Sequence, residues 1–525
     1  MTESKHVSLQ SRKKFQSWYI PEPLLVFGDG KTHIDPKVGL TLYGPLRTDS
    51  GVPTPTSISV GIIGTGETLG QTKIFLQSLM KKVPSSNDNP FHHPPFPGFK
   101  DAFDCFLTLS DDFNETIPTF DVKRAVEQPI FEKRVESTVK LFLDKIENIS
   151  ERVPKPNVVV CALPQDVVDS CVVKRTSTGI VKVKRPPKRG DLAETLKHHL
   201  TPDATGKKQV FLDNFEAEAL KIIEKDIEVT NFWRALKAGG MAFGMPTQIV
   251  WPSTTQPKKI NGKQNRQDLA TIAWNFSVAL HYKGSGFPWT MTRMKIGTCY
   301  VGITFFKDLT DDENRMRTSM AQVFTYTGEG LVIRGDRFEW DKHQDRSPHL
   351  NEKGAEELLK KAIELYTNRI GQPPLRVVVH KSSKYWEDEK RGFESALKEI
   401  KLHDLVAIGE RDIRFFRYGQ FPPLRGTVIQ LGKTNYLLYT RGFTPYLRTY
   451  PGAHVPLPLD ILEHYGDSSP DVVLTEILAL SKMNWNSADF SLAKPITLLF
   501  SKKVGEVMAS LPESVNPRHE YLYYM

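Results

Sequence analysis

The chain lacks much of what several protein classes require. Its 525 residues include only four cysteines, Cys105, Cys161, Cys171 and Cys299, widely spaced and never arranged as C-x-x-C. A disulfide framework or a zinc knuckle is therefore excluded, and a reducing compartment fits. No apolar run reaches the ~18 residues a membrane span needs. The opening MTESKHVSLQSRKKFQSWYI is polar and basic, without an apolar signal core. The expected location is cytoplasmic. No repeat recurs at a period of roughly 20 to 50 residues, and no G-x-S-x-G elbow or Cys/His nucleophile arrangement stands out.

Carboxylates are also missing where a nuclease would place them. Two-metal hydrolysis needs acidic side chains converging from strand ends, because Mg²⁺ is held by hard, negative oxygens. The two most strand-like runs of the second half present Gly302-Ile303-Thr304 and His380-Lys381-Ser382 instead. His92-His93 among prolines and His198-His199 at a polar helix end read as surface histidines rather than metal ligands.

What is present is globular. Hydrophobic residues make up 39% and charged residues 25%, which excludes disorder as the main state. At roughly 100 to 200 residues per domain the length suggests two to four domains. Lys plus Arg exceed Asp plus Glu by 70 − 61 = 9. Spread evenly, that surplus would only aid solubility; gathered in a groove it would attract a polyanion.

Along the chain, PEPLLVFGDGKTHIDPKVGLTLYGPLRTDSG gives two short strand-like runs, and ISVGIIGTGETLGQTKIFLQSLMKK gives a strand, a glycine turn and an amphipathic helix. Residues 84–100 are a Pro- and Asn-rich loop. The helical VESTVKLFLDKIENI and the β-branched NVVVCAL form an α/β unit. A basic insertion at 174–189 and a helix at EAEALKIIEKDI follow. Then come TNFWRALKAGGMAFGMPTQIVW, the helix LATIAWNFSVALHYK and the break GSGFPW, which closes a domain near residue 289. The second half opens on the apolar strand KIGTCYVGITFF and a hairpin, AQVFTYTGEGLVIRG. It continues with the helix NEKGAEELLKKAIELYTNRIG, the strand PPLRVVVH, a helix at ESALKEIK, further antiparallel strands and the helix TEILALSKMNW. The fold class is α/β throughout.

Two motifs carry candidate chemistry. Gly64-Thr65-Gly66 opens a strand-to-helix turn of the kind that cradles a pyrophosphate. However, Gly70 falls one position late for G-x-G-x-x-G, no acidic strand follows at about 20 positions, and no Walker lysine is present. A plain turn is the simpler reading, with a nucleotide-binding enzyme as the alternative. Between residues 231 and 289, Trp233 and Lys237 share a helix face, Gln248 follows Pro246-Thr247, and Lys283 ends the next helix. A flat ring, two ammonium groups and an amide are what a terminal nucleotide phosphate needs. Spacing alone equally allows a core Trp beside two solvated lysines.

At this point the sequence resembles the short prokaryotic Argonautes, made of MID and PIWI domains. The likeness rests on GLTLYGP, FPGFKDAFDC, WRALK with MPTQIV, Asn275 with Lys283-Gly-Ser-Gly-Phe-Pro-Trp, GTCYVGITFF, LSKMNWNS and the aromatic tail, all in order. It implies a leader at 1–56 packing on the PIWI lobe, a Rossmann-like MID domain at 57–289 and an RNase H-like PIWI domain at 290–525. It also implies that Lys237, Gln248 and Lys283 hold a guide 5′-phosphate, with Trp233 against the first base and Asn275 as a weaker contact. A Mg²⁺ would bridge guide phosphates and the Met525 carboxylate. In slicing relatives the PIWI domain carries an acidic metal-binding set. Here Thr304, Ser382 and Lys502 (or Phe500) stand at those positions, with Glu329 near where a mobile glutamate would lie.

The implied function is guided target recognition without cleavage, with an RNA guide and a DNA target. It would be coupled to an APAZ-containing partner bearing a TIR or SIR2 NADase or a nuclease, in anti-plasmid or anti-phage defence. The rivals are a slicer with unconventional ligands and a scaffold that has lost guide binding. On this reading the positive surplus lines a channel from Lys237 and Lys283 across the PIWI face, with Lys482, Arg441 and Arg448 as contributors.

Overall fold

The computed structural model describes residues 15–47, 54–175, 181–182, 231–255, 259–260, 263–264, 268–292, 296–307, 315–324, 328–339, 347–419, 422–432, 434–452, 454–511 and 517–525. The helix expected at EAEALKIIEKDI and the pair His198-His199 lie outside these residues. Of the basic insertion, only Lys174–Arg175 and Val181–Lys182 are described, paired as two short antiparallel strands.

The first sheet is parallel. Ser57–Gly64 is central, flanked by Phe106–Leu109 on one side and Val158–Ala162 on the other, with Thr247–Val250 beyond the latter. All five residues of Val158–Ala162 are buried, which is why the sequence there is a continuous β-branched run rather than an alternating one. The helix Phe131–Ser150 covers one face, contributing Val135, Val139, Phe142 and Ile146 to an apolar cluster with Val159, Cys161 and Leu236.

The second sheet has nine strands. Thr298–Lys307, Arg315–Phe324 and Gly330–Glu339 form an antiparallel meander. Arg376–Lys381 and Leu402–Glu410 continue it in parallel on the other side of Thr298–Lys307. This is the order expected of an RNase H-like unit. Leu459–Gly466, Tyr436–Leu438 and Thr427–Gln430 extend it antiparallel, and Gln16–Tyr19 from the leader closes that edge against Thr427–Gln430.

The leader also corrects the sequence reading. The run PKVGLTLY, expected as a strand, is the helix Pro36–Tyr43, with the Asp35 carboxylate accepting from the Lys37 and Val38 amides. The signal was present: an Asp N-cap, Pro at the first helical position and Gly44 past the end outweigh the β-branched content.

One apolar cluster runs through both sheets, with Ile58, Val160 and Trp274 from the first and Tyr300, Val378, Ile477 and Val504 from the second. Polar ties reinforce it. Trp289 Nε1 donates to the Lys482 carbonyl at 3.1 Å, Arg234 pairs with Glu506 at 2.9 Å, and the Tyr523 hydroxyl donates to the Gly244 carbonyl at 3.3 Å. The helix Ile496–Ala509 crosses close behind the middle strand. A Cβ on Gly302 would lie 1.9 Å from the Thr497 carbonyl oxygen, so only glycine permits that approach.

Candidate guide-end pocket and its PIWI counterpart

The helix Phe232–Ala242 begins where Asn231 accepts hydrogen bonds from the Trp233 and Arg234 amides. This N-cap fixes the helix so that Lys237 reaches the start of the strand Thr247–Val250, where its Nζ donates to the Thr247 carbonyl. Lys283 closes the helix Leu269–Lys283 and donates to Gln248 Oε1. The charge of Lys237 also acts on Lys283, so the two ammonium groups lie close together. The structure therefore brings together Lys237, Gln248 and Lys283, three residues 46 positions apart in sequence at their extremes. Trp233 is half-buried beside them and packs against both apolar clusters.

Both lysines are almost fully buried, at 2% exposure each. Burial pushes the Lys237 ammonium down to about 8, and burial followed by the charge of Lys237 holds Lys283 well below its ordinary value. Two adjacent ammonium groups out of water are costly unless an anion joins them. Cys161, which sequence reasoning did not connect with this site, lies on the facing strand next to Ile249. Burial pushes its thiol up to about 12, against the opposing pull of the two lysines. It is a neutral wall of the pocket.

Asn275 does not join this group through any hydrogen bond described. Its Oδ1 accepts from the Ala488 amide at 2.9 Å, tying the long helix to the loop after Pro470–Leu480. Asn275→Ala is therefore expected to lower the denaturation midpoint by an amount equivalent to ~1 kcal/mol, while discrimination of a 5′-phosphate stays within about twofold. Paired denaturation and binding curves check this.

Met525 is buried in the shared core. The turn before it places the Tyr521 ring 6.4 Å from Tyr282, the neighbour of Lys283, and 4.9 Å from Phe500. Among the described residues no three His, Cys, Asp or Glu side chains converge.

In the second sheet, the register sets Ile303 beside Lys381 on parallel strands, so Thr304 and Ser382 are neighbours at the same edge. Thr304 is buried, and its hydroxyl has no hydrogen-bond partner among the described residues. The Ser382 amide donates to the Ile303 carbonyl at 3.3 Å, and its side chain is exposed. Phe500 belongs to the core, and Lys502 lies in the helix Ile496–Ala509 with a side chain outside the described set. Glu329, near which the mobile glutamate was expected, is held by Arg369 through two bonds of 2.9 and 2.6 Å.

Lys482 requires a correction. It is 1% exposed, donates to the Pro23 and Ile34 carbonyls and pairs with Glu22 at 3.0 Å. It anchors the leader and cannot line an open channel. Arg441 and Arg448 are exposed, the latter with its guanidinium 4.1 Å from the centre of the Phe91 ring. The His92 and His93 rings lie 4.0 Å apart, tilted by 52°, with Lys37 donating to the His92 carbonyl and His93 Nδ1 3.0 Å from the Thr271 hydroxyl. At the glycine turn, Thr65 and Thr68 cap each other and Thr68 Oγ1 donates to the Ala162 carbonyl at 3.2 Å, so the turn's own hydroxyls already engage that helix end.

No protein-family model matches the chain. In sequence it is 21% identical over 284 residues to the Argonaute protein of Aquifex aeolicus, covering 54% of this chain and 36% of that relative. The structure of Clostridium butyricum Argonaute bound to a guide DNA and a 19-mer target DNA superposes with a TM-score of 0.56 at 14% identity, over 97% of this chain and 55% of that one. Drosophila Piwi superposes with a TM-score of 0.55 at 14% identity, over 97% and 56%. Aa-Ago with externally bound siRNA gives 0.54 at 15% identity, over 97% and 56%. The chain thus spans 36% of the curated relative and a little over half of each solved structure. The fold is the mixed α/β fold shared by these proteins across their MID and PIWI portions. The likeness to the solved structures is one of fold, and the sequence likeness to the Argonaute relative covers 54% of this chain.

Proposed function

We propose that this protein loads a guide strand by its 5′-phosphate and uses it to recognise a complementary strand without cutting it. The observation that carries the reading is the cluster of buried Lys237 and Lys283 with half-buried Gln248 at the outer strand of the parallel sheet. Two ammonium groups with depressed protonation, neither paired with a carboxylate among the described residues, are matched to a dianionic group.

The absence of cutting rests on the edge positions. An RNase H-like metal pair needs carboxylates where Thr304 and Ser382 stand side by side. In this reading the fold receives a duplex, and no carboxylate stands at these two positions to hold the metals. The base-paired strands would supply sequence recognition, and the protein would contact backbone and helical shape. The guide is RNA and the target DNA in this reading. A Mg²⁺ held by the Met525 carboxylate would neutralise guide phosphates beside Lys283. The chain belongs to the short type, acts in the cytoplasm, and signals through an APAZ-containing effector of NADase or nuclease class in defence against foreign DNA.

The test uses the full chain with a 5′-phosphorylated RNA guide, a labelled complementary DNA and Mg²⁺ or Mn²⁺. Stable binding with the target intact is expected. Cleavage opposite the middle of the guide would instead establish an active nuclease with unconventional ligands. Recovery of an APAZ protein with the tagged chain from its own cells tests the coupling to an effector.

A further inference from the structure

We propose that Glu506 is a positioning residue of the guide-end pocket: from the unit built on the nine-stranded sheet it holds Arg234, and through Arg234 the helix that places Lys237 against the 5′-phosphate. This inference deepens the guided-binding reading and rests on it.

The helix Phe232–Ala242 is packed between two bodies. Phe232 and Leu236 belong to the apolar cluster of Phe131–Ser150, while Ala238 and Met241 join Val504, Val507 and Met508 of the helix Ile496–Ala509 in the shared core. Apolar contacts of this kind hold the helix between its neighbours but are non-directional. Its rotation and its position along the axis are set by polar contacts. Asn231 caps its start, the Tyr523 hydroxyl donates to the Gly244 carbonyl just past its end, and Arg234 pairs with Glu506 at 2.9 Å. The ion pair stands three residues before Lys237, on the adjoining helix surface. Its side chains are 12% and 27% exposed, so it is shielded more than the open surface pairs that contribute almost nothing.

The far side of the pair is rigid. Val504, Val507 and Met508 around Glu506 are buried, and at the start of the same helix Thr497 Oγ1 lies 2.8 Å from His380 Nδ1 on a central strand. That helix also reaches the other lysine. The Phe500 ring lies 4.9 Å from Tyr521, and Tyr521 lies 6.4 Å from Tyr282, the neighbour of Lys283. One helix thus braces both lysine-bearing helices, and Glu506 is where it grips the one bearing Lys237. Precision matters there because Lys237 is 2% exposed and its Nζ already donates to the Thr247 carbonyl. A shift of about 1 Å would forfeit a charge-assisted bond to a phosphate oxygen.

The experiment uses the full chain as wild type, Glu506→Gln, Arg234→Gln, the double variant and Arg234→Lys, each titrated with a 5′-phosphorylated and a 5′-hydroxyl RNA guide of one sequence. Glu506→Gln is expected to lower the preference for the phosphorylated guide about tenfold, while affinity for the hydroxyl guide stays at the wild-type level. The double variant loses no more than the worse single one, because the two residues act as a pair, and Arg234→Lys keeps most of the preference. The pH profile separates positioning from mere stability. The titratable groups acting on Lys237 are Cys161 and Lys283, and both are intact in these variants. A looser helix admits water to Lys237, so the alkaline decline of the preference, which begins at about 8 in the wild type, moves upward in Glu506→Gln. Equal loss for both guides, additive losses in the double variant or an unmoved alkaline decline overturns the proposal. Wild-type protein that ignores the 5′-phosphate sinks the pocket reading and this inference with it, whereas a wild-type preference that survives intact in Glu506→Gln sinks this inference alone.

Discussion

Lys237→Ala combined with Lys283→Ala is expected to abolish the preference for a 5′-phosphorylated over a 5′-hydroxyl guide. Each ammonium supplies a charge-assisted hydrogen bond worth ~1.5–3 kcal/mol, so the pair accounts for a discrimination of roughly 100-fold or more. Filter binding of the two guides to wild type and variant reads it directly. Equal discrimination before and after would remove these lysines from the site. The pH profile gives a second, independent readout. Burial lowers the Lys237 ammonium to about 8 and holds Lys283 well below its ordinary value, whereas a bound phosphate dianion raises both. The protonated lysines are the binding form. Affinity is therefore fully developed below the unliganded values and declines as pH rises through about 8 toward the raised bound values. On the acid side the phosphate loses its second charge near pH ~6. Discrimination should peak between these limits, with proton uptake accompanying loading on the alkaline side. For Lys237 alone, the shift from 10.5 to about 8 corresponds to ~3 kcal/mol of destabilisation of the guide-free protein at neutral pH. Loading a phosphorylated guide relieves it. The sign is that of a base depressed by folding: the cost is complete below the folded value and fades as pH rises from about 8 toward 10.5.

Much of this fold was legible in the sequence because periodicity and apolar runs report burial directly. NVVVCAL reads as a parallel strand because all of Val158–Ala162 is enclosed, and the helix over Phe131–Ser150 shows a repeating apolar face. The helix Pro36–Tyr43 was misread because VGLTLY has strand-like composition, whereas its start depends on one capping side chain, Asp35. The site was legible only in part. Lys237, Gln248 and Lys283 sit on three elements, and nothing in their spacing shows that the strand Thr247–Val250 and two helices bring them together. Lys482 shows the opposite failure. A lysine in a loop reads as a solvated charge, yet Glu22, some 460 residues earlier in the chain, draws it into the interior. Asn275 shares a helix with Lys283, but its amide faces the loop of the other unit. Sequence separation hides such partnerships because the interactions that decide them are long-range.

The largest effect on stability is expected at the opposite edge of the second sheet, in Arg376→Met. Arg376 opens the strand that ends at Lys381, and its guanidinium binds Asp404 at 3.0 and 2.7 Å and Glu476 at 2.6 and 3.0 Å, all three groups being buried. It ties two central strands to the helix Pro470–Leu480. Burial alone would raise the Asp404 carboxyl. Hydrogen bonds from His464, Ser468 and Arg376 overcome that and hold it well below the usual carboxylate range. Removing the guanidinium strands two carboxylates in the interior, a loss of ~3–5 kcal/mol, measurable as a fall in the urea midpoint. Arg376→Met with Glu476→Leu should recover a substantial part, since Asp404 keeps His464 and Ser468 while Glu476 has lost its bidentate partner. The pH dependence carries the sign of a depressed carboxylate. In the wild type the stabilisation is present above the unfolded Asp value and is lost as pH falls toward the folded one. The gap between wild type and Arg376→Met should therefore narrow in acid, where the stranded carboxylates take up protons. A gap that stays constant from pH 7 to pH 4 would mean that packing, and not buried charge, sets the loss. Under conditions where the variant remains folded, its preference for a 5′-phosphate should match the wild type, because Arg376 lies at the start of its strand and the lysine pocket lies on the other sheet.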